Sequence, residues 1–230
     1  MTTTPMTNDT PGLLMVWTDI PAEVEPEFNE WYNREHMPDR INKVPGFTRA
    51  RRFISLSGAP RHLALYETRS ADIFRSAPYI AINKTPDPTS RRFIPLFRNT
   101  IKGICDIIAR VGQGEGAMLA LLPVSVTMDR EDEFAAWARD SMLPDIVSST
   151  GVIAATYARR NRTIQEIAAA SYTRAGDRYV YGLIAVECAD ERGLAKASAS
   201  LAPDVLKQHG ASVMFVDGIC TFRNLYTVHA

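Results

Sequence analysis

The stretch FNEWYNREHMPDR at residues 28–40 has a counterpart in FAAWARDSMLPDI at residues 134–146. Four pairs of positions match at a constant offset of 106 residues: Phe28 and Phe134, Trp31 and Trp137, Pro38 and Pro144, and Asp39 and Asp145. At the place of His36 the second copy has Met142. The chain therefore contains one helix twice and has a histidine in only one of the two copies.

Four further pairs of segments occur in the same order in both halves of the chain. They are LLMVWTDI (13–20) and LALLPVSV (119–126), VPGFTRARRF (44–53) and STGVIAATYARR (149–160), HLALYE (62–67) and YGLIAVE (181–187), and KGIC (102–105) and DGIC (217–220). Ordered matches of this kind indicate a tandem duplication. The glycine-rich VGQGEG (111–116) is typical of a linker. We therefore expect a disordered tail at 1–12, an N-terminal unit at 13–111, a linker at 112–116 and a C-terminal unit at 117–230.

Each half predicts the order strand, helix, strand, strand, helix, strand. The second helix is expected within 70–83 in the first half and over roughly 190–209 in the second, where Gly210 suits a helix cap. This βαββαβ order is that of the ferredoxin-like unit. Its four-stranded sheet carries helices on one face, and two units in one chain can cover their bare faces by packing sheet on sheet. The predicted fold class is α+β.

The composition, 46% hydrophobic and 23% charged residues, is ordinary for a soluble globular protein. The 26 basic and 26 acidic residues balance, so we expect no nucleic-acid or membrane-surface partner. No apolar run approaches the roughly 20 residues of a membrane-spanning helix. Three cysteines without a CxxC motif favour a reducing cytoplasm. Four scattered histidines lack the close spacing of a metal site, so no metal is expected.

The pattern F-x-x-W-Y-x-x-E-H-x-P on the first helix, together with βαββαβ written twice, resembles the dimeric α+β barrel superfamily and its EthD-like branch. The resemblance implies a barrel closed by two ferredoxin-like units, either as a homodimer or in one chain. It also implies small, often aromatic substrates and acid–base chemistry without an organic cofactor. Relatives include muconolactone isomerases, polyketide cyclases, cofactor-free antibiotic-biosynthesis monooxygenases and haem-binding branches, so the fold alone does not select a reaction.

His36 is the principal catalytic candidate. Phe28, Trp31 and Tyr32 form one apolar stripe of a helix over 27–37, and Pro38 is predicted to end that helix. One interpretation is structural, because a histidine in the last helical turn interacts favourably with the helix dipole. The other is catalytic, since an imidazole pKa of about 6.5 suits general acid–base work. Met142 indicates that the fold does not require the histidine.

The third strand of the first half, HLALYET, adds two more catalytic candidates. His62 and Tyr66 point to one side of this strand, and Leu63 and Leu65 point to the other. Because the leucines suit a helix layer, His62 and Tyr66 are predicted to face a cavity inside the barrel. The alternative is that His62 lies in solvent at the strand edge. Their counterparts in YGLIAVE (181–187) are not polar, which favours one active cavity in the first half.

The remaining candidates are assigned to substrate binding. Trp17 is expected to form an aromatic wall, Tyr32 to face inward, Tyr79 to line the cavity and Arg98 to close it. Asp39 either orients the ring of His36 or forms a turn. Arg51 either binds an anion or lies on a solvated strand edge. Asp145 repeats Asp39, and this favours the turn-forming role for that aspartate.

Two classes of function are compatible with these residues. The first is a cofactor-independent lyase or isomerase for a small, hydrophobic, aromatic compound, in which His36 moves a proton while Tyr66 and His62 polarise an oxygen. A cofactor-free monooxygenase is the alternative within that class. The second is a non-catalytic ligand-binding or assembly protein. No cofactor is expected, and the resemblance makes a homodimer possible.

Overall fold

The computed structural model describes residues 10–56, 58, 60–172 and 174–230, and the side chains of residues 170–172 are not described. The predicted tail at 1–12 thus lies largely outside the described residues. Within these ranges, no helix combines the length and the apolar character that crossing a membrane requires.

Each half contains the predicted elements together with several short additional ones, except that the single helix predicted over 190–209 is divided into two, Glu191–Ser200 and Pro203–Gln208. Strands β1 to β10 cover Gly12–Asp19, Phe47–Ser55, His62–Thr68, Arg98–Gly112, Met118–Val126, Val152–Arg160, Arg178–Tyr179, Gly182–Cys188, Ala211–Val213 and Cys220–His229. Helices α1 to α9 cover Glu25–Trp31, Met37–Lys43, Ala77–Lys84, Pro88–Phe93, Glu131–Trp137, Leu143–Val147, Arg162–Tyr172, Glu191–Ser200 and Pro203–Gln208. A π-helical segment joins α1 to α2 (Tyr32–His36) and another joins α5 to α6 (Ala138–Met142).

Eight of the strands form one closed antiparallel barrel. The strand order is β1-β3-β2-β10-β5-β8-β6-β4, and β4 pairs with β1 to complete the ring. Each half keeps the ferredoxin-like order, and the last strand of each half pairs with the second strand of the other, β10 with β2 and β4 with β6. The predicted α+β fold of two ferredoxin-like units is confirmed. One chain closes this barrel without a second copy.

The interior of the barrel is a packed core, as expected for a barrel of about eight strands. Its buried side chains come from both halves: Leu13, Met15, Trp17, Phe53, Leu63, Leu65, Leu119, Leu121, Leu183 and Phe222. His62 and Tyr66 therefore point the other way, toward the helices of the N-terminal half. The predicted orientation of this strand is wrong because both of its faces are buried, and the leucines fill the barrel rather than the helix layer.

The prediction that Pro38 ends the first helix is also wrong. Proline has no N–H to donate and its ring collides with the carbonyl four residues earlier. The chain adapts by widening one turn, in which the N–H of Met37 donates to the carbonyl of Tyr32, and then continues as α2. The extra residue in this turn directs His36 to the inner face and leaves Glu35 exposed. The C-terminal half contains the same widened turn before Pro144.

The C-terminal half has an insertion that the repeat did not predict. Helix α7 and strand β7 lie between β6 and β8, where the N-terminal half has only residues 56–61. Ile164 and Ala168 of α7 pack into the helix layer of the N-terminal half. The side-chain oxygen of Gln165 accepts a hydrogen bond of 2.8 Å from the N–H of Ile104 in β4. The insertion therefore belongs spatially to the N-terminal half.

Candidate active site

A cavity of about 440 Å³ lies between the sheet and the helices of the N-terminal half, a volume within the range of small-molecule sites. It is thus on the helix side of the sheet, not inside the barrel as predicted. Its walls are formed by Leu14, Val16, Tyr32, His36, Arg40, Phe47, Tyr66, Tyr79, Asn83, Pro86, Ser90, Arg91, Ile94, Pro95, Phe97, Lys102 and Arg174. Four of the sequence-based candidates are among them: His36, Tyr66, Tyr32 and Tyr79.

His36 is partly buried at the wall of this cavity. Its ring centroid lies 4.5 Å from that of Trp31 and 4.8 Å from that of Tyr32. The Nδ1 atom is shielded from solvent and has no hydrogen-bond partner among the described residues, which leaves Nε2 as the nitrogen that a ligand can reach. Burial and the positive charges of Arg40 and Arg52 hold the pKa of His36 well below its usual value of 6.5. The imidazole is therefore neutral at pH 7 and able to accept a proton.

Two phenols stand beside this imidazole. The hydroxyl of Tyr66 donates to the hydroxyl of Tyr32 over 3.2 Å, and both side chains are buried. Burial raises the pKa of Tyr66 well above 10.0 and also raises that of Tyr32, although its hydrogen bond from Tyr66 and nearby arginines oppose the rise at Tyr32. Both groups are consequently protonated donors in the resting site.

Arg40 lies one helical turn beyond His36 and is only 7% exposed. Its Nη2 donates to the side-chain oxygen of Asn83 at 3.3 Å, and the amide nitrogen of Asn83 donates in turn to the carbonyl of Tyr79 at 2.8 Å. Tyr79 packs on Phe47 with ring centroids 5.9 Å apart. The helix Ala77–Lys84 thus fixes the direction of the guanidinium.

One residue of the cavity wall, Arg174, comes from the insertion in the C-terminal half. Arg174 donates to the carbonyl of Ile94 at 2.7 Å and to the hydroxyl of Thr100 at 3.2 Å. Asp177 pairs with Arg174 at 3.1 Å and with Lys102 at 2.6 Å. The two basic side chains lower the pKa of Asp177, so this carboxylate is ionised, although burial acts in the opposite direction. Arg174 has no equivalent in the repeat, so no comparison of the two halves could identify it.

His62 lies behind the cavity rather than in its wall. Its ring packs against Phe28 with centroids 5.0 Å apart, and its Nδ1 is 3.5 Å from Nη2 of Arg52. Burial and the charge of Arg52 lower the pKa of His62 to about 4, against a weaker opposing effect of Glu25. Neither the predicted cavity position of His62 nor a solvent-exposed strand edge is correct, since the residue is 3% exposed.

The other substrate-binding candidates lie away from the cavity. Trp17 packs in the barrel interior, where its indole N–H donates to the carbonyl of Pro60. Asp39 forms a surface ion pair with Lys43 at 2.6 Å. Arg51 is buried at one end of the barrel, with its Nη1 2.6 Å from a carboxylate oxygen of Glu187. Arg98 is exposed and lines a separate surface pocket with residues 174–178. These positions do not support the predicted contacts.

The polar wall of the cavity is specific to the N-terminal half. By the helix offset and the strand register, four lining residues have buried apolar counterparts: Tyr32 corresponds to Ala138, His36 to Met142, Arg40 to Ile146 and Tyr66 to Val186. All four counterparts belong to one hydrophobic cluster with residues of α8. The fold therefore requires none of the four polar side chains, and the C-terminal half uses the same positions for packing.

The sequence matches no protein-family model and no curated protein. Its structure is similar to that of an anthrone oxidase-like protein, with a TM-score of 0.61 and 11% identity over 97% of this chain and 94% of the other. A proposed chlorite dismutase gives 0.59 and 10% identity over 96% of both chains. A proposed monooxygenase from Lactobacillus acidophilus gives 0.57 and 11% identity over 96% of both chains.

At such identities the similarity establishes the fold alone. The chain has the fold of the dimeric α+β barrel superfamily, with both ferredoxin-like units in one polypeptide. The predicted dimeric α+β barrel fold is thereby confirmed, whereas the EthD-like branch remains a prediction.

Proposed function

We propose that the protein is a cofactor-independent oxygenase of the monooxygenase type, which oxidises a small aromatic compound in the cavity of the N-terminal half. The observation that carries this proposal is His36, a neutral imidazole at the cavity wall whose counterpart is Met142. An acidic C–H or O–H of the substrate supplies the proton that His36 removes. Dioxygen is the second substrate.

The cage around His36 suits it to act as a base. Nδ1 is buried in a ring that packs against Trp31 and Tyr32, and it has no polar partner in the part of the chain that the structure describes. The tautomer that carries its hydrogen on Nδ1 leaves the lone pair of Nε2 directed at the substrate. Removal of a proton next to a carbonyl or an aromatic ring also requires donors for the oxyanion that develops. Tyr32, which accepts a hydrogen bond from Tyr66, supplies a neutral O–H group, and Arg40 supplies positive charge.

The oxidation follows from the deprotonated substrate. The substrate anion transfers one electron to dioxygen, and the radical and superoxide combine into a peroxide at the same carbon. Protonation by His36 gives a hydroperoxide, which loses water together with the second hydrogen of that carbon to leave a carbonyl. The balance is R₂CH₂ + O₂ → R₂C=O + H₂O, in which the substrate supplies the four electrons that reduce dioxygen.

The names of the structural neighbours support the oxygenase over the lyase or isomerase expected from the sequence. One is described as anthrone oxidase-like and another as a monooxygenase. An anthrone has the acidic methylene group, flanked by aromatic rings, that this mechanism requires. A lyase or isomerase would use the same proton removal, but neither of these two names points to one. The proposed aromatic substrate class also agrees with a wall that contains Phe47, Tyr79 and Phe97.

A haem group, which some branches of the superfamily bind, does not fit this cavity. A haem needs an axial ligand that can approach the iron and open space on both sides of the macrocycle. The volume of about 440 Å³ accommodates a few fused rings rather than a macrocycle with its propionates. No step of the proposed mechanism uses one.

The proposal is tested with purified protein, anthrone and hydroxylated anthrones in an oxygen electrode. We expect one dioxygen consumed for each quinone formed, and incorporation of one ¹⁸O atom from ¹⁸O₂ into the new carbonyl. Dialysis against a chelator should leave the rate unchanged. Product formation without oxygen uptake would instead favour a lyase or isomerase, and a rate restored only by added metal would contradict the cofactor-independent mechanism.

A further inference from the structure

We infer that the natural substrate is an anion, an aromatic carboxylate whose acid group is bound by Arg40. This inference rests on the proposed function for the identity of the site, but it concerns equilibrium binding and can fail separately. The guanidinium of Arg40 and the positive charge of the surrounding wall are the two features that favour an anionic substrate.

The wall of the cavity carries an excess of positive charge. Within the described residues its lining contains four cationic side chains, Arg40, Arg91, Lys102 and Arg174, and no aspartate or glutamate. Asp177 lies just outside and compensates one charge while it bridges Lys102 and Arg174. A ligand with negative charge is therefore favoured by the whole cavity.

Arg40 is the most buried of these cations, and Asp177 pairs with Lys102 and Arg174 instead of with it. In the part of the chain that the structure describes, its polar partner is the neutral amide of Asn83, and no carboxylate lies within 4.0 Å of it. A buried arginine is normally paired, because removing a charge from water without a counter-ion is unfavourable. One of its five N–H groups is engaged by Asn83, so the planar fork that binds a carboxylate with two parallel bonds is available.

Two other buried arginines show how this chain satisfies a guanidinium that has only a structural role. Arg52 is 1% exposed and donates to the side-chain oxygens of Asn29 and Asn33 while it lies over the ring of Tyr32 at 4.6 Å. Arg51 pairs with Glu187. Arg40 has neither arrangement, and its counterpart Ile146 shows that the helix packs well without a charge.

The position of Arg40 relates the acid group to the reacting atom. Residues four apart on a helix lie on the same face, with Cβ atoms about 5–6 Å apart. A carboxylate on Arg40 therefore places the neighbouring ring against His36. The acid group fixes the orientation of the ring, and it also offsets the positive charge that otherwise makes protonation of His36 unfavourable.

The experiment compares matched acids and amides by isothermal titration calorimetry: anthracene-9-carboxylate with its carboxamide, and 1-naphthoate with 1-naphthamide. Wild-type protein should bind an acid at least about tenfold more tightly than its amide, as expected for hydrogen bonds to a charged group. Arg40→Ile, which copies the C-terminal half, should abolish that preference. Arg40→Lys should restore part of it, because the charge remains while the fork is lost.

Arg34→Ile is the matched control, since Arg34 is on the same helix segment but exposed and paired with Glu30. It should keep the full preference for acids. Arg40→Ile should also melt no lower than wild type without ligand, because it removes an uncompensated buried charge. A structural arginine would give the opposite result. Equal affinity of wild type for every acid and its amide, including no binding of either, would overturn the inference, as would a preference that survives in Arg40→Ile.

Failure of the proposed function would be distinguishable. If wild type prefers acids through Arg40 but consumes no oxygen with any aromatic acid, the oxygenase proposal fails and the inference stands. If neutral anthrones are oxidised with no acid preference, the inference fails alone. His36→Met should retain the preference for acids, because Arg40 and Asn83 are unchanged in that variant.

Discussion

The hydroxyl of Tyr66 donates to the hydroxyl of Tyr32 across 3.2 Å, which links strand β3 to the π-helical segment at the wall of the cavity. Because Tyr66 is the donor in this hydrogen bond, the O–H of Tyr32 points elsewhere and is available to a ligand. Val186 and Ala138 occupy these positions in the C-terminal half. The pair therefore distinguishes the candidate site from the corresponding region of the C-terminal half, which has neither hydroxyl.

The direction of this hydrogen bond predicts unequal effects of two similar substitutions. Tyr66→Phe should lower the free energy of unfolding by about 0.5–1.5 kcal/mol, the net contribution of one hydrogen bond. Tyr32→Phe should cost more, about 1–3 kcal/mol, because it leaves the buried Tyr66 hydroxyl without its acceptor. It should also reduce turnover more strongly, since it removes the donor proposed for the substrate oxyanion. Urea unfolding and oxygen uptake measure both, and equal effects on turnover would contradict the assigned roles.

The lowered pKa of His36 predicts the pH dependence of catalysis. Burial, Arg40 and Arg52 all disfavour its protonation, so the base stays neutral through pH 6.5. We expect kcat/KM to decrease on acidification only at a pH well below 6.5. Arg40→Ile removes one of the causes and should shift the decrease toward higher pH. A wild-type profile that falls with an apparent pKa of 6.5 or above would contradict this environment for the base.

His62 predicts a pH dependence of stability instead. Its pKa is about 4 in the folded protein and near 6.5 when unfolded, so below pH 6.5 the unfolded chain binds a proton that the folded chain does not. The free energy of unfolding should therefore fall as the pH is lowered from 6.5 toward 4, by at most roughly 3 kcal/mol from this residue. His62→Gln should show a shallower decrease over the same interval in urea titrations. Parallel curves for the two proteins would assign the decrease to other groups.

Arg51, a substrate-binding candidate on sequence grounds, is predicted to stabilise the contact between the two halves. Its partner Glu187 is 6% exposed, and removing one member of a buried ion pair typically costs about 3–5 kcal/mol. Arg51→Met should show this loss, and addition of Glu187→Gln should recover much of it in a double-mutant cycle. Because both side chains lie away from the cavity, turnover of the folded variants should be unchanged. A loss of turnover without a loss of stability would support the original substrate-binding assignment.

Much of the fold was predictable because the two halves of the duplication are still recognisably similar in sequence. The spacing is the same in both halves because the residues have the same role in each. Phe28 and Trp31 pack in the helix-side core of the N-terminal half, and Phe134 and Trp137 pack in that of the C-terminal half. The orientation of the strand His62–Thr68 was not predictable from its alternation. Every residue of that strand is buried, so polarity could not tell the barrel interior from the helix layer.

The candidate site was predictable only where the two halves could be compared. His36 stood out against Met142, and Tyr66 against Val186. Arg40 has the equally informative counterpart Ile146 at the same offset of 106 residues, a signal that the comparison contained and that was missed. Arg174 had no such signal, because the insertion that carries it occurs in one half and reaches the other only through tertiary packing of α7.

The central claim is that His36 is the base, and the substitution His36→Met tests it most directly. The structure removes the helix-dipole explanation, since the helix continues to Lys43 and His36 is not at its C-terminus. Methionine already packs at the equivalent position, so the melting temperature should be close to that of wild type. Turnover should fall by about 10² to 10⁴, the usual effect of losing a general acid–base group. His229→Met, at an exposed histidine, is the control and should keep both properties. Full turnover in folded His36→Met would contradict the account.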